Sequence, residues 1–376
     1  MSIINSNYYI NNMFKSVVMY NHNKTVRKYS NEIGLIDCIR NYDLFKEYLI
    51  KNPIRVRRFT FEEKKSYAES ITYGHYDSIA KYSGLSRTQI KYFPIIEHGV
   101  DFWETVNPFF FPRACQGPYN KTIWKKSKSG IPLYQIGPLV SYADCIYSEE
   151  EIIHLKEKLG KTLVVVPAHT YEFSKNEYDT RSFVNQIMNR YKKEYDSIII
   201  MAYWADVKYP LFDMFKHEGA ILMSSGFRSD INFISRQKTI LMLADTVVGN
   251  QIGTFIGYAY ELGKKVEILQ SDIKLELTDS TIAPDEAERY LRNTNELLKA
   301  FDTEEPDPVL QNKLCEKFWG HNIKRKPEFF CDLYEINKLI IKKSKGNLNK
   351  IPNVVESVLQ SDLLNDRQKI ILKESL

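Results

Sequence analysis

A chain of 376 residues is about two and a half times the roughly 150 residues of a typical domain, so the sequence predicts two domains and excludes a small stapled scaffold. Hydrophobic residues make up 43% and charged residues 26% of the chain, which excludes wholesale disorder. The net charge of +5 is far below what a duplex-binding surface needs, and no nucleic-acid partner is predicted.

The cysteine spacing predicts a protein of the reducing cytoplasm. The cysteines are scattered and include no C-x-x-C pair, which argues against a disulfide framework and a structural zinc site. They are Cys38, Cys115, Cys145, Cys315 and Cys331. No segment has the pattern of a secretory signal or the length of apolar sequence that spans a membrane, so neither is predicted.

The first half of the chain has an irregular pattern. Helical spacing covers residues 43–50 and 60–79, and residues 90–96 predict a strand that leads into Glu97-His98-Gly99. A histidine that follows a strand is suited to act as a general base, because its pKa lies near neutral pH, and Glu97 is available to orient it. A purely structural role for His98 is the alternative.

From about residue 130, strands alternate with helices. The predicted strands cover residues 133–136, 162–166, 197–201, 220–223, 246–248 and 265–269, and the predicted helices cover 180–193, 232–244 and 253–262. Such alternation predicts an α/β fold with a doubly wound parallel sheet, in which ligands bind beyond the carboxyl ends of the strands.

Three of the segments that follow these strands carry candidate binding residues. His169, with Thr170 and Glu172 nearby, follows the strand 162–166, and Gly226 and Arg228 follow the strand 220–223. Histidine and arginine side chains there would hold a phosphate, although a satisfied strand-end residue and a solvated surface charge are the alternatives.

The third segment, after the strand 246–248, contains Asn250, Gly253 and Thr254. Backbone N–H groups at the start of the next helix would capture an anion, or else Gly253 serves close packing and Thr254 caps the helix. The G-x-G-x-x-G, P-loop, H-E-x-x-H, clustered D-x-D and G-x-S-x-G motifs are absent from the sequence. The sequence therefore predicts no cofactor and no metal.

The remainder of the chain predicts a helical tail. Residues 302–308 are acidic and contain proline, and a basic stretch covers residues 338–345. The tail either packs back on a preceding domain or makes a peripheral membrane contact. The predicted division is an acceptor-side domain at 1–128, a nucleotide-sugar-binding domain at 129–300 and the tail at 301–376.

These patterns resemble the two-domain glycosyltransferases of the GT-B type, and within them the bacterial surface-polysaccharide transferases, which include capsule enzymes and CDP-glycerol glycerophosphotransferases. The resemblance extends over about residues 131–269. Its motifs are Ile136-Gly137-Pro138, the His169 turn, residues 226–236 and residues 244–264. In the glycerophosphotransferases a histidine-glycine pair serves as base, which His98-Gly99 resembles, and a strand-end turn holds the phosphates, which residues 250–254 resemble.

The resemblance implies a GT-B-like α/β fold with two Rossmann-like domains facing a cleft. It implies inverting, metal-independent transfer of a sugar from a nucleotide-activated donor to a surface polysaccharide, such as a capsule, O-antigen or lipopolysaccharide chain, with a glycan or lipid-linked glycan as acceptor. The expected location is the cytoplasm or the inner face of the membrane. Two alternatives remain: a pyruvyl or polyol-phosphate transferase, and a non-catalytic glycan-binding assembly subunit that uses the chain's many aromatic rings.

Overall fold

The computed structural model describes residues 7–10, 13, 20–53, 70, 72–97, 99–100, 102, 111–126, 130–169, 174–177, 179–269, 274–277 and 284–376. The strands within these ranges are β1 (Ile95–Ile96), β2 (Arg113–Cys115), β3 (Leu133–Gln135), β4 (Thr162–Val166), β5 (Ser174–Glu177), β6 (Ser197–Ala202), β7 (Ile221–Ser224), β8 (Thr246–Gly249), β9 (Lys265–Ile268) and β10 (Lys274–Leu277). The helices are α1 (Tyr20–Gly34), α2 (Tyr42–Lys51), α3 (His75–Ser83), α4 (Pro118–Lys125), α5 (Glu149–Leu159), α6 (Thr180–Tyr191), α7 (Pro210–His217), α8 (Phe233–Leu243), α9 (Phe255–Glu261), α10 (Pro284–Ala300), α11 (Pro308–Trp319), α12 (Pro327–Lys343), α13 (Ile351–Leu359) and α14 (Asp366–Glu374).

The larger sheet is parallel throughout, with the strand order β7-β6-β4-β8-β9. Every residue of the central strand β4 is buried, because both faces of the sheet are covered. Val164 and Val166 pack in one apolar cluster, whereas Leu163 and Val165 pack in a second cluster on the opposite face. Strands β5 and β10 form a separate antiparallel pair. The predicted doubly wound sheet is confirmed.

The smaller sheet has the order β1-β2-β3 and is also parallel. Together the two parallel sheets confirm the predicted α/β class. The strand predicted over residues 90–96 is wrong in its first part, since Arg87–Tyr92 is a 3-10 helix. The Gln89 side chain accepts a hydrogen bond from the Ser86 N–H (2.6 Å), which favours a helical start that the apolar pattern alone does not reveal. Within the helix predicted over residues 60–79, the structure describes residues 70 and 72–79. Residues 72–79 form the 3-10 turn Thr72–Gly74 and the first part of α3.

Helices near the start of the chain pack on the larger sheet, and helices at its end pack on the smaller sheet. The segment that joins α1 to α2 lies against β7, where the Ser224 N–H donates to the Cys38 carbonyl (3.1 Å). At the other end, the Leu133 N–H of β3 donates to the Ser375 carbonyl (2.8 Å), so the C-terminal helices pack back on the smaller sheet. The predicted division at 128/129 and 300/301 stays a prediction. Among the described residues, each helix falls short of the length and hydropathy that a membrane-spanning segment requires.

Candidate functional site

The carboxyl ends of the neighbouring strands β4 and β8 are tied together by Asn250. This residue follows β8 and is buried, and its Oδ1 accepts a hydrogen bond from the Ala168 N–H beyond β4 (2.7 Å). The contact holds the two strand-end segments at a fixed spacing. Asn250, predicted as a ligand-binding residue, therefore has a positioning contact at this edge.

His169 lies at the same edge and packs on an aromatic ring. Its imidazole stacks on Tyr203, which follows β6, with ring centroids 4.3 Å apart and planes inclined by 38°. Burial lowers the pKa of His169 to about 4, so the imidazole is neutral at pH 7. His169 is half-buried, which leaves part of the side chain accessible. A neutral imidazole offers one donor and one acceptor to a ligand. Thr170 and Glu172 lie outside the described residues.

Gly226 is required by the shape of the turn after β7. Its φ is +86°, and a Cβ there would lie 2.8 Å from Nη1 of Arg236, which is itself paired with Asp230 at 2.8 Å. Both side chains of that ion pair are almost completely buried, at 4% and 2% exposure. The buried pair fixes the segment that carries Arg228.

Arg228 is close enough to Tyr203 for its charge to act on the Tyr203 hydroxyl. It is half-buried, and its guanidinium opposes the rise that burial causes in the pKa of the Tyr203 hydroxyl. The net effect is a pKa of Tyr203 well above the usual value, so the phenol stays protonated and can donate. A phosphate-binding role for Arg228 stays a prediction. His169, Tyr203 and Arg228 form one continuous group at the carboxyl ends of β4, β6 and β7.

The turn that contains Gly253 and Thr254 has a packing role. A Cβ on Gly249 would lie 2.3 Å from the Phe255 ring, and one on Gly253 would lie 3.3 Å from it. Helix α9 has only seven residues, and its N-cap, Thr254, makes no side-chain capping bond. The short distances to Phe255 favour close packing as the role of Gly253. The expected capping bond from the Thr254 side chain is not made. Capture of a phosphate by this turn stays a prediction.

The turn also meets the smaller sheet. A Cβ on Gly99, beyond β1, would lie 3.1 Å from the Thr254 hydroxyl oxygen. The segment beyond β1 and the segment beyond β8 therefore touch, and the carboxyl ends of the two sheets face each other. His98, the predicted base, lies outside the described residues, but both of its neighbours in sequence are described.

Glu97 is buried at the end of β1 and is held by Gln116, which follows β2, and by Asn120 of α4. Its Oε1 accepts from the Gln116 N–H (2.6 Å), and its Oε2 accepts from the Asn120 amide (2.7 Å). Two donors to one buried carboxylate stabilise the charged form. Each carboxylate oxygen already accepts one hydrogen bond, from Gln116 or from Asn120. Orientation of His98 by Glu97 therefore stays a prediction.

Sequence reasoning missed three tyrosines. Tyr203 follows β6, and the pattern offered only its strand-end position as a signal. Tyr73 lies before α3 and packs on Phe233 with ring centroids 4.8 Å apart. Tyr258 of α9 is buried near Tyr73 and Glu97; burial is the main cause of its raised pKa, and these two groups add to it. Tyr73 carried no local signal, because a contact distant in sequence, from its N–H to the Arg228 carbonyl, brings it here.

Two features away from this edge of the sheet bear on where a ligand could bind. Within the described ranges, no group of three or more His, Cys, Asp or Glu side chains is placed to hold a metal ion. A surface pocket of about 280 Å³ lies between α2 and the amino-terminal part of β7. Its charged lining residues Arg40 and Lys216 are paired with Glu151 and Asp43, so they are already neutralised.

Comparison with solved structures finds distant likenesses, including the following two. One is to the wall teichoic acid polymerase TagF, with a TM-score of 0.36 and 8% identity over 63% of this chain and 59% of that one. Another is to UGT89C1 from Arabidopsis thaliana, with a TM-score of 0.27 and 10% identity over 76% of this chain and 64% of that one. The chain thus spans about three fifths of the length of these proteins. No protein-family model and no curated protein matches it. Likenesses at these scores carry no argument about activity, which is inferred below from the chain's own residues.

Proposed function

We propose that the protein is a glycosyltransferase that moves a sugar from a nucleotide-activated donor to a surface polysaccharide. The observation that carries the proposal is the convergence of His169, Tyr203 and Arg228 at the strand ends of the larger sheet. The opposite wall is the smaller sheet, whose Gly99 approaches Thr254. A half-buried guanidinium beside protonated donors suits an anionic leaving group.

The proposed reaction is a single displacement with inversion. The acceptor hydroxyl oxygen attacks the anomeric carbon, the bond from that carbon to the donor phosphate oxygen breaks, and its electron pair leaves with the phosphate. His98 takes the acceptor proton as general base. Arg228 and the neutral imidazole of His169 stabilise the charge on the departing phosphate, so the proposal calls for no divalent ion.

The proposed acceptor is a glycan or lipid-linked glycan at the inner face of the membrane, with the protein in the cytoplasm. Exposed lysines at the end of α12 support a peripheral membrane contact. Lys342, Lys343 and Lys345 have no carboxylate partner among the described residues. Clusters of unpaired lysines are attracted to anionic lipid surfaces.

Thermal unfolding with nucleotides tests the proposal. UDP, CDP, GDP and CMP are each added to the protein, and at least one should raise the melting temperature, because a ligand that binds the folded state stabilises it by mass action. Arg228→Ala should reduce that rise, while Lys158→Ala, a change at an exposed position of α5, should not. With the donor so identified, His98→Ala should abolish transfer and leave the nucleotide effect intact.

A second panel, of nucleotide sugars, CDP-linked polyols and phosphoenolpyruvate, separates the alternatives. Stabilisation by CDP-linked polyols and not by nucleotide sugars would favour a polyol-phosphate transferase, and stabilisation by phosphoenolpyruvate would favour a pyruvyl transferase. Binding of glycans without any nucleotide effect would favour a non-catalytic assembly subunit. Retained turnover in His98→Ala would exclude that residue as the base.

A further inference from the structure

Tyr73 is carried from the first half of the chain to the strand ends of the larger sheet. It lies in the 3-10 turn Thr72–Gly74, directly before α3. Its N–H donates to the Arg228 carbonyl (2.6 Å), and a Cβ on Gly74 would lie 2.2 Å from the Ile231 carbonyl oxygen. The turn is therefore pressed, backbone against backbone, onto the segment that carries Arg228.

The backbone at Tyr73 is held in an unfavourable conformation. Its φ is +60° and its ψ is +13°, in the left-handed region, and Gly74 follows with φ of +70°. A left-handed conformation at a residue other than glycine is strained, and such strain persists only where surrounding contacts impose it. Glycine or asparagine would occupy this backbone more easily. The presence of tyrosine here therefore indicates that its side chain has a task.

The Tyr73 side chain reaches the group at the strand ends. Its ring packs on Phe233, with ring centroids 4.8 Å apart. Burial raises the pKa of the Tyr203 hydroxyl, the Tyr73 phenol adds to that rise and the Arg228 guanidinium opposes it, so the three groups are near one another. Tyr73, Tyr203 and Arg228 are each half-buried, so a ligand can reach them. Phenol hydroxyls and a guanidinium in a recessed position are suited to phosphate oxygens, which accept several hydrogen bonds at once.

We propose that Tyr73 is a donor-binding residue: with Tyr203 and Arg228 it binds the phosphate of the nucleotide donor and thereby completes, from the first half of the chain, a pocket on the second. The inference rests on the proposed function and deepens it. The bridging turn makes donor binding depend on contact between the two halves of the chain. A role limited to ring packing on Phe233 is the competing explanation, and phenylalanine would fulfil it equally well.

The experiment isolates the hydroxyl. Tyr73→Phe keeps the ring on Phe233 and removes only the oxygen, and Tyr203→Phe removes its partner. The matched control is Tyr195→Phe, because Tyr195 is a buried tyrosine whose hydroxyl bonds Thr246 (2.7 Å) at the amino ends of the same strands. Far-ultraviolet circular dichroism and melting without ligand establish that each variant folds.

The dissociation constant is then measured, by titration calorimetry, for whichever of UDP, CDP, GDP and CMP stabilises the wild type most. Tyr73→Phe and Tyr203→Phe should each weaken binding about tenfold or more, since a hydrogen bond to a charged group is lost. Tyr195→Phe should bind as the wild type does. The double variant should lose less than the product of the two single losses, because the hydroxyls act as a pair.

Three results would overturn the inference. Wild-type affinity in Tyr73→Phe would overturn it and leave the proposed function standing. Equal weakening by Tyr195→Phe would reduce the effect to a general loss of stability and overturn it as well. If none of the four nucleotides bound the wild type, the proposed function would fail and this inference with it. Should Tyr73→Phe not fold, Tyr203→Phe provides the same comparison.

Discussion

The buried ion pair between Asp230 and Arg236 should contribute strongly to stability. The two side chains are 2.8 Å apart, with 2% and 4% of their surface exposed, and the second Asp230 oxygen accepts from the Asn232 N–H (2.9 Å). Asp230→Ala would leave the guanidinium buried without its counter-charge. We expect a loss of about 3–5 kcal/mol in the free energy of unfolding, the range found when one partner of a buried pair is removed.

Urea unfolding at pH 7 measures this loss against an exposed control. Lys161 and Glu194 also form an ion pair at 2.9 Å, but their side chains are 48% and 54% exposed. Because solvent screens that pair, Glu194→Ala should cost less than about 1 kcal/mol. Replacement of both buried partners, as Asp230→Leu with Arg236→Met, should recover much of the loss, since neither charge is then left uncompensated.

The ranking of the three variants tests the reasoning. If Asp230→Ala cost no more than Glu194→Ala, the Asp230 pair would not be desolvated in solution. If the double replacement were as unstable as the single one, an uncompensated charge would not be the cause. The pair also holds the turn after β7, because the Arg236 guanidinium packs against Gly226, where a Cβ would lie 2.8 Å from Nη1. A nucleotide that stabilises the wild type should therefore stabilise Asp230→Ala less.

Three further outcomes are expected. Burial holds the pKa of His169 at about 4 in the folded protein against about 6.5 unfolded, so the unfolded state takes up the proton first and up to about 3 kcal/mol of stability is lost as pH falls from 6.5 to 4. The melting temperature of His169→Gln should therefore fall less from pH 7 to pH 5 than that of the wild type. An equal fall in both proteins would contradict burial of the imidazole. A Cβ on Gly257 would lie 2.1 Å from the Trp319 ring, so Gly257→Val should cost about 1–3 kcal/mol in urea, and a wild-type value would contradict the contact between α9 and α11. Glutamine at Lys342, Lys343 and Lys345 should reduce sedimentation with vesicles of anionic lipid at low salt, by about 1 kcal/mol per lysine, whereas unchanged binding would exclude this surface.

The larger sheet was predictable because its strands are buried on both faces. Residues 162–166 form a short, β-branched apolar run that ends at a proline, and β4 has those bounds. Each end of the other strands of this sheet lies within one residue of its predicted position. Their carboxyl ends follow from the parallel order, so the neighbourhood of His169 and Arg228 was predictable as well.

The smaller sheet and part of the site were not predictable from local pattern. Strands of two or three residues carry too little periodicity to be recognised, and β1 comes shortly after a 3-10 helix. Tyr73 reaches the site through a contact with Arg228, far along the chain, and its left-handed backbone conformation contradicts the local preference of tyrosine. Functional sites are where local preference is expected to fail.

The way the chain ends are packed has a consequence for how the site is built. One apolar cluster contains residues from both sheets, among them Ile96 of β1 and Val164 of β4. Ile33 of α1 and Phe45 of α2 are completely buried in the second cluster, on the far face of the larger sheet. A cut at residue 128 would therefore remove part of the cover of that face and expose apolar side chains beneath it. Because the same helices also hold β7, whose end carries Arg228, the geometry of the proposed donor pocket depends on residues from both halves of the chain.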